Sequence, residues 1–183
     1  MAGIIFLVLL IIVAGYAVYN YNTIIRLKNR IENAWAQIDV QLERRHDLIP
    51  NLVETVKGYM EHEKETLEKV IEARSKAMQA SGVEEKAEAE SLLEDAVNKL
   101  FLVVEDYPEL KANENFLNLQ EEITSTENRI AYARQSYNDQ VMFYNNKIAT
   151  FPGNMIAGSF GFEDREYFEI EDEEKREVPD VEF

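Results

Sequence analysis

Cysteine is absent from the 183 residues, and histidine occurs only twice, at His46 and His62. Without thiols the chain has no Cys nucleophile, Cys-ligated zinc, Fe–S cluster, disulfide or lipidated cysteine anchor. Two histidines leave no material for a His-rich metal centre. Basic residues are scarce as well: 19 Lys and Arg stand against 35 Asp and Glu, a net charge of −16. No concentrated basic patch is present to make a nucleic-acid footprint. A chain of this length allows one domain with attachments rather than two of enzyme size.

Charge is also missing from the first 25 residues; the first charged side chain is Arg26. Ile4 to Val18 (IIFLVLLIIVAGYAV) is almost continuously apolar. As a helix, the uncharged stretch reaches about 37 Å, enough for a hydrocarbon layer of roughly 30 Å. Tyr16, Tyr19 and Tyr21 gather toward one end, where amphipathic rings meet headgroups. A cleaved signal would need a basic start, a shorter apolar core and a small-residue cleavage site. Ala14-Gly15-Tyr16-Ala17 is a poor one, so residues 1–25 read as a short outside N-terminus and a retained transmembrane helix. Arg26, Lys28 and Arg30 flank its far end, which puts the N-terminus outside and the rest in the cytoplasm.

From there the apolar residues recur at helical spacing, and residues 26–151 read as a cytoplasmic helical bundle. Ile24, Leu27, Ile31, Ala34, Ile38 and Leu42 are spaced by three and four with no Gly or Pro between them, so the anchor can run into the bundle as one rod. Pro50 is the first breaker; it either kinks one long helix or, with Asp47 as cap, starts a new one. The expected helices are about 24–46, 50–80, 84–106 and 113–150, with a Ser81–Glu84 capping box before the third and Asn113 capping the fourth. Short joints favour an antiparallel bundle. An extended coiled coil is the weaker reading, because the register switches and β-branched residues hold no single heptad position. Asn128 and Arg129 beside Ile130 would need partners across helices if buried. Residues 152–183 are expected to form a turn-rich segment (PGNMIAGSFGF) and an acidic tail, with eleven acids and three bases from position 163. The fold class is therefore all-α: an N-terminal transmembrane helix continuing into an antiparallel bundle of long helices, then an acidic C-terminal tail.

Reactive constellations are weak. Glu43 and His46 form one Glu-x-x-His pair, but a di-metal bundle needs that motif on two helices, and Tyr59 stands where the second glutamate would precede His62. Glu61-His62-Glu63 begins like a zinc motif, but Thr66 occupies the second histidine position; a surface histidine is the ordinary reading. Arg44, Arg45, His46, Asp47 and Pro50 make a candidate corner, with interhelical ion pairing or capping as the structural role and partner or headgroup contact as the functional one. No catalytic residue, cofactor or metal ligand is assigned.

The residues also resemble the LemA family. The resemblance rests on Tyr21-Asn22, on Trp35 to Gln41 (WAQIDVQ), and on Arg44 to Tyr59 (RRHDLIPNLVETVKGY). It continues at His62-Glu63, Ala73-Arg74, Tyr107 to Asn113 (YPELKAN) and Glu127 to Ala131 (ENRIA). Ala133-Arg134, Tyr137-Asn138-Asp139, Tyr144-Asn145, Phe151-Pro152, Phe160-Gly161-Phe162, Tyr167-Phe168 and Val181 to Phe183 complete it. The resemblance implies a bacterial cytoplasmic-membrane protein with one span and a cytoplasmic helical bundle, and it implies no reaction, cofactor or defined ligand.

The function expected from both readings is a non-catalytic scaffold or adaptor whose bundle meets another membrane or envelope protein. Such a scaffold can itself be a homo-oligomer; the alternative is an oligomer that organises or contacts the lipid bilayer, and a carboxylate- or metal-dependent enzyme ranks last. Nucleic acid is not an expected partner. The end, Val181-Glu182-Phe183, is an apolar-x-apolar sequence of the kind a strand-adding groove holds, opposed by docking of Phe160, Phe162, Tyr167 and Phe168 on the bundle or simple solvation.

Overall fold

The computed structural model describes residues 1–60 and 62–169. Within these, every regular element is a helix: α1 (Ala2–Lys57), α2 (Lys64–Gln79), α3 (Val83–Val104), the single turn α4 (Pro108–Lys111), α5 (Glu114–Ala149) and α6 (Gly153–Phe160). The chain falls into two compact units. The residues from 170 onward, with Val181, Glu182 and Phe183 of the recognition reading and most of the acidic tail, lie outside the described residues.

The first unit comprises Met1–Glu43 and Thr126–Tyr167. Every residue from 1 to 19 is exposed, and Asn20 is the first buried one. Nineteen residues of helix reach about 28 Å, close to one hydrocarbon thickness, and α1 is long and apolar enough at this end to cross a membrane. Beyond Asn20, α1 buries Ile24, Ile31, Ala34, Ile38 and Leu42, and α5 answers with Ile130, Ala133, Tyr137, Val141, Tyr144 and Ile148. The steps of three, four and seven keep each set on one helix face. The helices run antiparallel: Trp35 meets Tyr137 edge-on at 5.3 Å, while Lys147 Nζ donates to Asn20 Oδ1 at 2.6 Å.

After α5 the chain turns through a cis Phe151–Pro152 bond into α6. A Cβ at Gly153 would lie 1.9 Å from the Lys147 carbonyl oxygen, so only glycine lets the backbone pass that close. Gly161 ends α6 in the left-handed region, at φ +69°, where L side chains are strained. The turn-rich segment expected at 152–162 is thus mostly helix, because the breakers Pro152 and Gly161 stand at its two ends rather than inside it. Residues 163–166 are not free in solvent either. Tyr144 and Tyr137 hydroxyls donate to the carbonyls of Glu163 and Glu166 at 3.1 and 3.0 Å, and Asn145 exchanges two 2.9 Å bonds with the backbone of Arg165. The start of the acidic segment is therefore laid along α5 by its backbone, which leaves the carboxylates in water.

The second unit comprises Arg44–Ser125 and residues 168–169 among the described residues. Its core gathers Ile49, Leu52 and Val56 of α1, Leu67 and Val70 of α2, Leu93, Val97 and Leu100 of α3, and Phe116 and Ile123 of α5. α1 ends at Lys57, not near Pro50; the break expected at 46–50 falls instead at 58–63. The Ser81–Glu84 box is displaced by one residue: Glu85 Oε2 accepts the Ser81 N–H at 3.0 Å, and Gly82 precedes the helix. Asn113 does cap α5, its Oδ1 accepting from Phe116 N at 3.1 Å. Asn128 and Arg129 are exposed, so the polar residue on that stripe is Thr126.

Candidate functional site

The α1 stripe in the second unit runs Arg45, Ile49, Leu52, Val56, and the α3 stripe runs Ala87, Glu90, Leu93, Val97, Leu100. Each carries one charged residue in a core register, and the two meet. Arg45 is ion-paired to Glu90 and also donates to its backbone carbonyl at 3.3 Å. Side-chain exposure is 1 % for Arg45 and 4 % for Glu90. His46 Nε2 lies 2.8 Å from the other Glu90 oxygen, off the ideal hydrogen-bond direction. Burial by itself would raise the Glu90 carboxyl. Contact with His46 and the positive charge of Arg45 outweigh burial and hold it below its ordinary value of 4.5. Glu90 is thus a fixed anion that ties α1 to α3.

Pro50 belongs to the same assembly. A proline in a helix interior has no N–H for the carbonyl four residues back, here that of His46. Arg74 supplies the missing donor: its Nε–H reaches the His46 carbonyl at 2.7 Å from α2. The helix therefore passes through Pro50 without a break, because a side chain from a neighbouring helix replaces the lost backbone donor. His46 contacts α3 through its ring and α2 through its carbonyl.

The five residues of the sequence-derived corner separate in the structure. Arg45, His46 and Pro50 join this assembly, with Glu90 and Arg74 added. Arg44 points elsewhere and pairs with Glu122 of α5 at an exposed position. Asp47 is exposed and caps nothing, since α1 continues past it. Arg45 is enclosed and already paired, so its guanidinium is committed inside the fold. Glu90 is not evident in the sequence, where Ala89, Leu93, Ala96 and Leu100 mark the α3 stripe; Ala89, Leu93 and Leu100 are buried, and the face is wide enough to take in Glu90 as well. Arg74 stands on the α2 stripe, and the signal for its role is the orphan carbonyl that Pro50 creates.

His62 is exposed at the rim of an open groove of about 1110 Å³ lined by Val53, Lys57, Met60, Leu67 and Ile71. Among the described residues, no group of three His, Asp or Glu side chains is placed to hold a metal ion. What the assembly can do chemically is bind helices together; its charges face one another inside the fold.

The LemA family matches over residues 34–183, which takes in this corner and most of the bundle. The chain belongs to the LemA family. It is 33% identical over 141 residues to the protein LemA of Metamycoplasma hominis, a stretch covering 74% of this chain and 63% of that relative. It is also 23% identical over 175 residues to magnetosome protein MamQ 2 of Paramagnetospirillum magneticum, and 21% identical over 174 residues to magnetosome protein MamQ of Magnetospirillum gryphiswaldense. Each of those matches covers 81% of this chain and 64% of the relative. The chain thus spans less than two thirds of the length of the relatives it matches. This LemA family member associates with the membrane through its N-terminal apolar helix and carries a packed helical bundle behind it.

Proposed function

We propose that this LemA family protein is a non-catalytic scaffold, anchored in the bacterial cytoplasmic membrane with its N-terminus outside, that presents its bundle to another membrane or envelope protein. The observation carrying this reading is α1 itself. One uninterrupted helix holds both the wholly exposed apolar segment and the packed segment that begins at Asn20. A joint of that kind transmits position and orientation from membrane to bundle, which a flexible linker would lose. The buried charges are consumed in holding helices, and apolar side chains such as Leu102 and Tyr132, more than two-thirds exposed, stand on the outer surface where a partner can take them up. Orientation is set by Arg26, Lys28 and Arg30 at the inner end of the span.

A photo-crosslinking residue at Leu102 in intact membranes should give a discrete adduct with a different membrane protein. Adducts only with a second copy, together with reshaping of vesicles by the purified protein, would instead favour a membrane-organising oligomer. That second reading draws on the relatives named magnetosome proteins, a name that ties them to one particular cellular body. For orientation, a cysteine at Ala2 should react with an impermeant maleimide in intact cells, and one at Tyr132 only after lysis.

A further inference from the structure

We propose that α6 is a second membrane contact: a short apolar helix lying in the headgroup region of the same bilayer that α1 crosses. The inference rests on the anchored reading of α1 and adds a site to it.

Its position is fixed within the first unit by two contacts with α1 at the end of the exposed apolar segment. Lys147, at the close of α5, reaches Asn20, which itself donates from Nδ2 to the Tyr16 carbonyl at 2.8 Å. Phe160 and Phe162 pack against Tyr21 with tilted rings, centroids at 4.8 and 5.7 Å. The hairpin from α5 into α6 therefore stands where the span emerges from hydrocarbon. Its chemistry suits that depth. Ile148 to Phe162 contains no charged residue, the longest such run outside the anchor. α6 turns Gly153 and Ala157 inward, while Phe151 is 79 % exposed, Met155 64 % and Phe160 63 %. Large apolar side chains turned out beside the end of a span make a face continuous with the lipid-facing surface of the span, where Tyr16 and Tyr19 are also exposed. A bilayer covers both together. Because this stretch carries no cation, its insertion draws on apolar burial and not on anionic lipid.

The absence of native cysteine makes the test direct. The full chain is prepared with a single Met155→Cys, Phe160→Cys, Val8→Cys or Tyr132→Cys substitution, all at exposed positions, and carries an environment-sensitive fluorophore. It is reconstituted into phosphatidylcholine vesicles containing lipid with a nitroxide near the headgroup or deep in the acyl chain. Probes at 155 and 160 should lose most of their emission to the shallow nitroxide, equally with and without anionic lipid. The probe at position 8 should be quenched by acyl-chain nitroxide and that at 132 by neither. If 155 and 160 behave like 132 while 8 is quenched, α6 is aqueous and the proposal fails with the anchor intact. Loss of quenching at 8 as well overturns both readings. Quenching at 155 and 160 only with anionic lipid would overturn the apolar mode of contact.

Discussion

The two units solve the same problem, holding long helices in register, with opposite chemistry. In the first unit the interface is apolar and aromatic, and its polar groups sit at the edges: Asn20 with Lys147 at one end, and tyrosine hydroxyls that hold the segment after Gly161. In the second unit a buried ion pair closes one end of the apolar core. Apolar stripes slide past one another at small cost, since each step of three or four residues presents a similar face. Buried charges tolerate no such slip, so Arg45 opposite Glu90 ties α1 to α3 in one register, and the bond from Arg74 to the His46 carbonyl does the same for α2 against α1. Register set by charge is paid for in desolvation and is fragile to loss of one member.

The sharpest way to break this contrast is to unpair the charge. Glu90→Gln leaves Arg45 enclosed without its anion and should cost about 3–5 kcal/mol in urea unfolding near neutral pH. Its pH dependence has a defined sign. Because the native Glu90 carboxyl lies below its ordinary 4.5, its contribution is complete above that value and is lost as pH falls through the lower native value. The gap between wild type and Glu90→Gln should accordingly close in acid. An equal gap at pH 7 and pH 3 would show that shape, not charge, is what the mutation removed. Replacing both Arg45 and Glu90 by Met should recover much of the loss while broadening the amide spectrum if register is what the pair supplies.

Arg74→Met tests the donor that Pro50 makes necessary. It leaves the His46 carbonyl without its 2.7 Å partner and should cost roughly 1–3 kcal/mol. Pro50→Ala restores a backbone N–H four residues after that carbonyl, so the double variant Pro50→Ala/Arg74→Met should be more stable than Arg74→Met alone. No rescue would detach Arg74 from the proline and make its bond to His46 incidental.

In the first unit the comparable weak point is backbone contact rather than charge. Gly153→Ala places a methyl against the Lys147 carbonyl, and the chain must shift to admit it, at a cost of about 1–3 kcal/mol with no pH dependence from pH 4 to 8. Smaller still are the tyrosines. Tyr137→Phe and Tyr144→Phe each remove one bond to a chain carbonyl, roughly 0.5–1.5 kcal/mol apiece. The effect should be local, read as faster hydrogen exchange and proteolysis at 163–167 with the bundle unchanged.

Helical periodicity makes the anchor, the bundle and the start of α5 legible from sequence, because those features depend on one helix at a time. What escapes depends on two. The α3 face is legible at Ala89, Leu93, Leu100 and Val104, but its width is not: Glu90 and Val97 also lie on it, and only a partner such as Arg45 makes a buried glutamate acceptable there. Pro50 reads as either a kink or a boundary, because a proline's missing donor is visible in sequence while Arg74, 24 residues further on, is not visibly its replacement. The segment after Gly161 reads either as solvated, from its charge density, or as docked through its aromatics; it docks, and the backbone carbonyls that hold it are what composition does not report. The corner itself is found because Arg44 and Arg45 stand together, and for the same reason the two arginines look alike.

They should not behave alike, and that is the finest division within the comparison. Arg44 pairs with Glu122 where the side chains are 44 % and 51 % exposed, so water already screens both charges and the pair holds two long side chains at an entropic cost. Arg44→Gln should change stability by less than about 1 kcal/mol, and about 0.5 M salt should remove most of that. Arg45→Gln, one residue on, should leave Glu90 buried with only His46 and cost several times more, with little response to salt because no solvent reaches the pair. Equal losses from the two substitutions would mean that Arg44 also fixes register, and that the charge-built interface extends from the core of the second unit out to its surface.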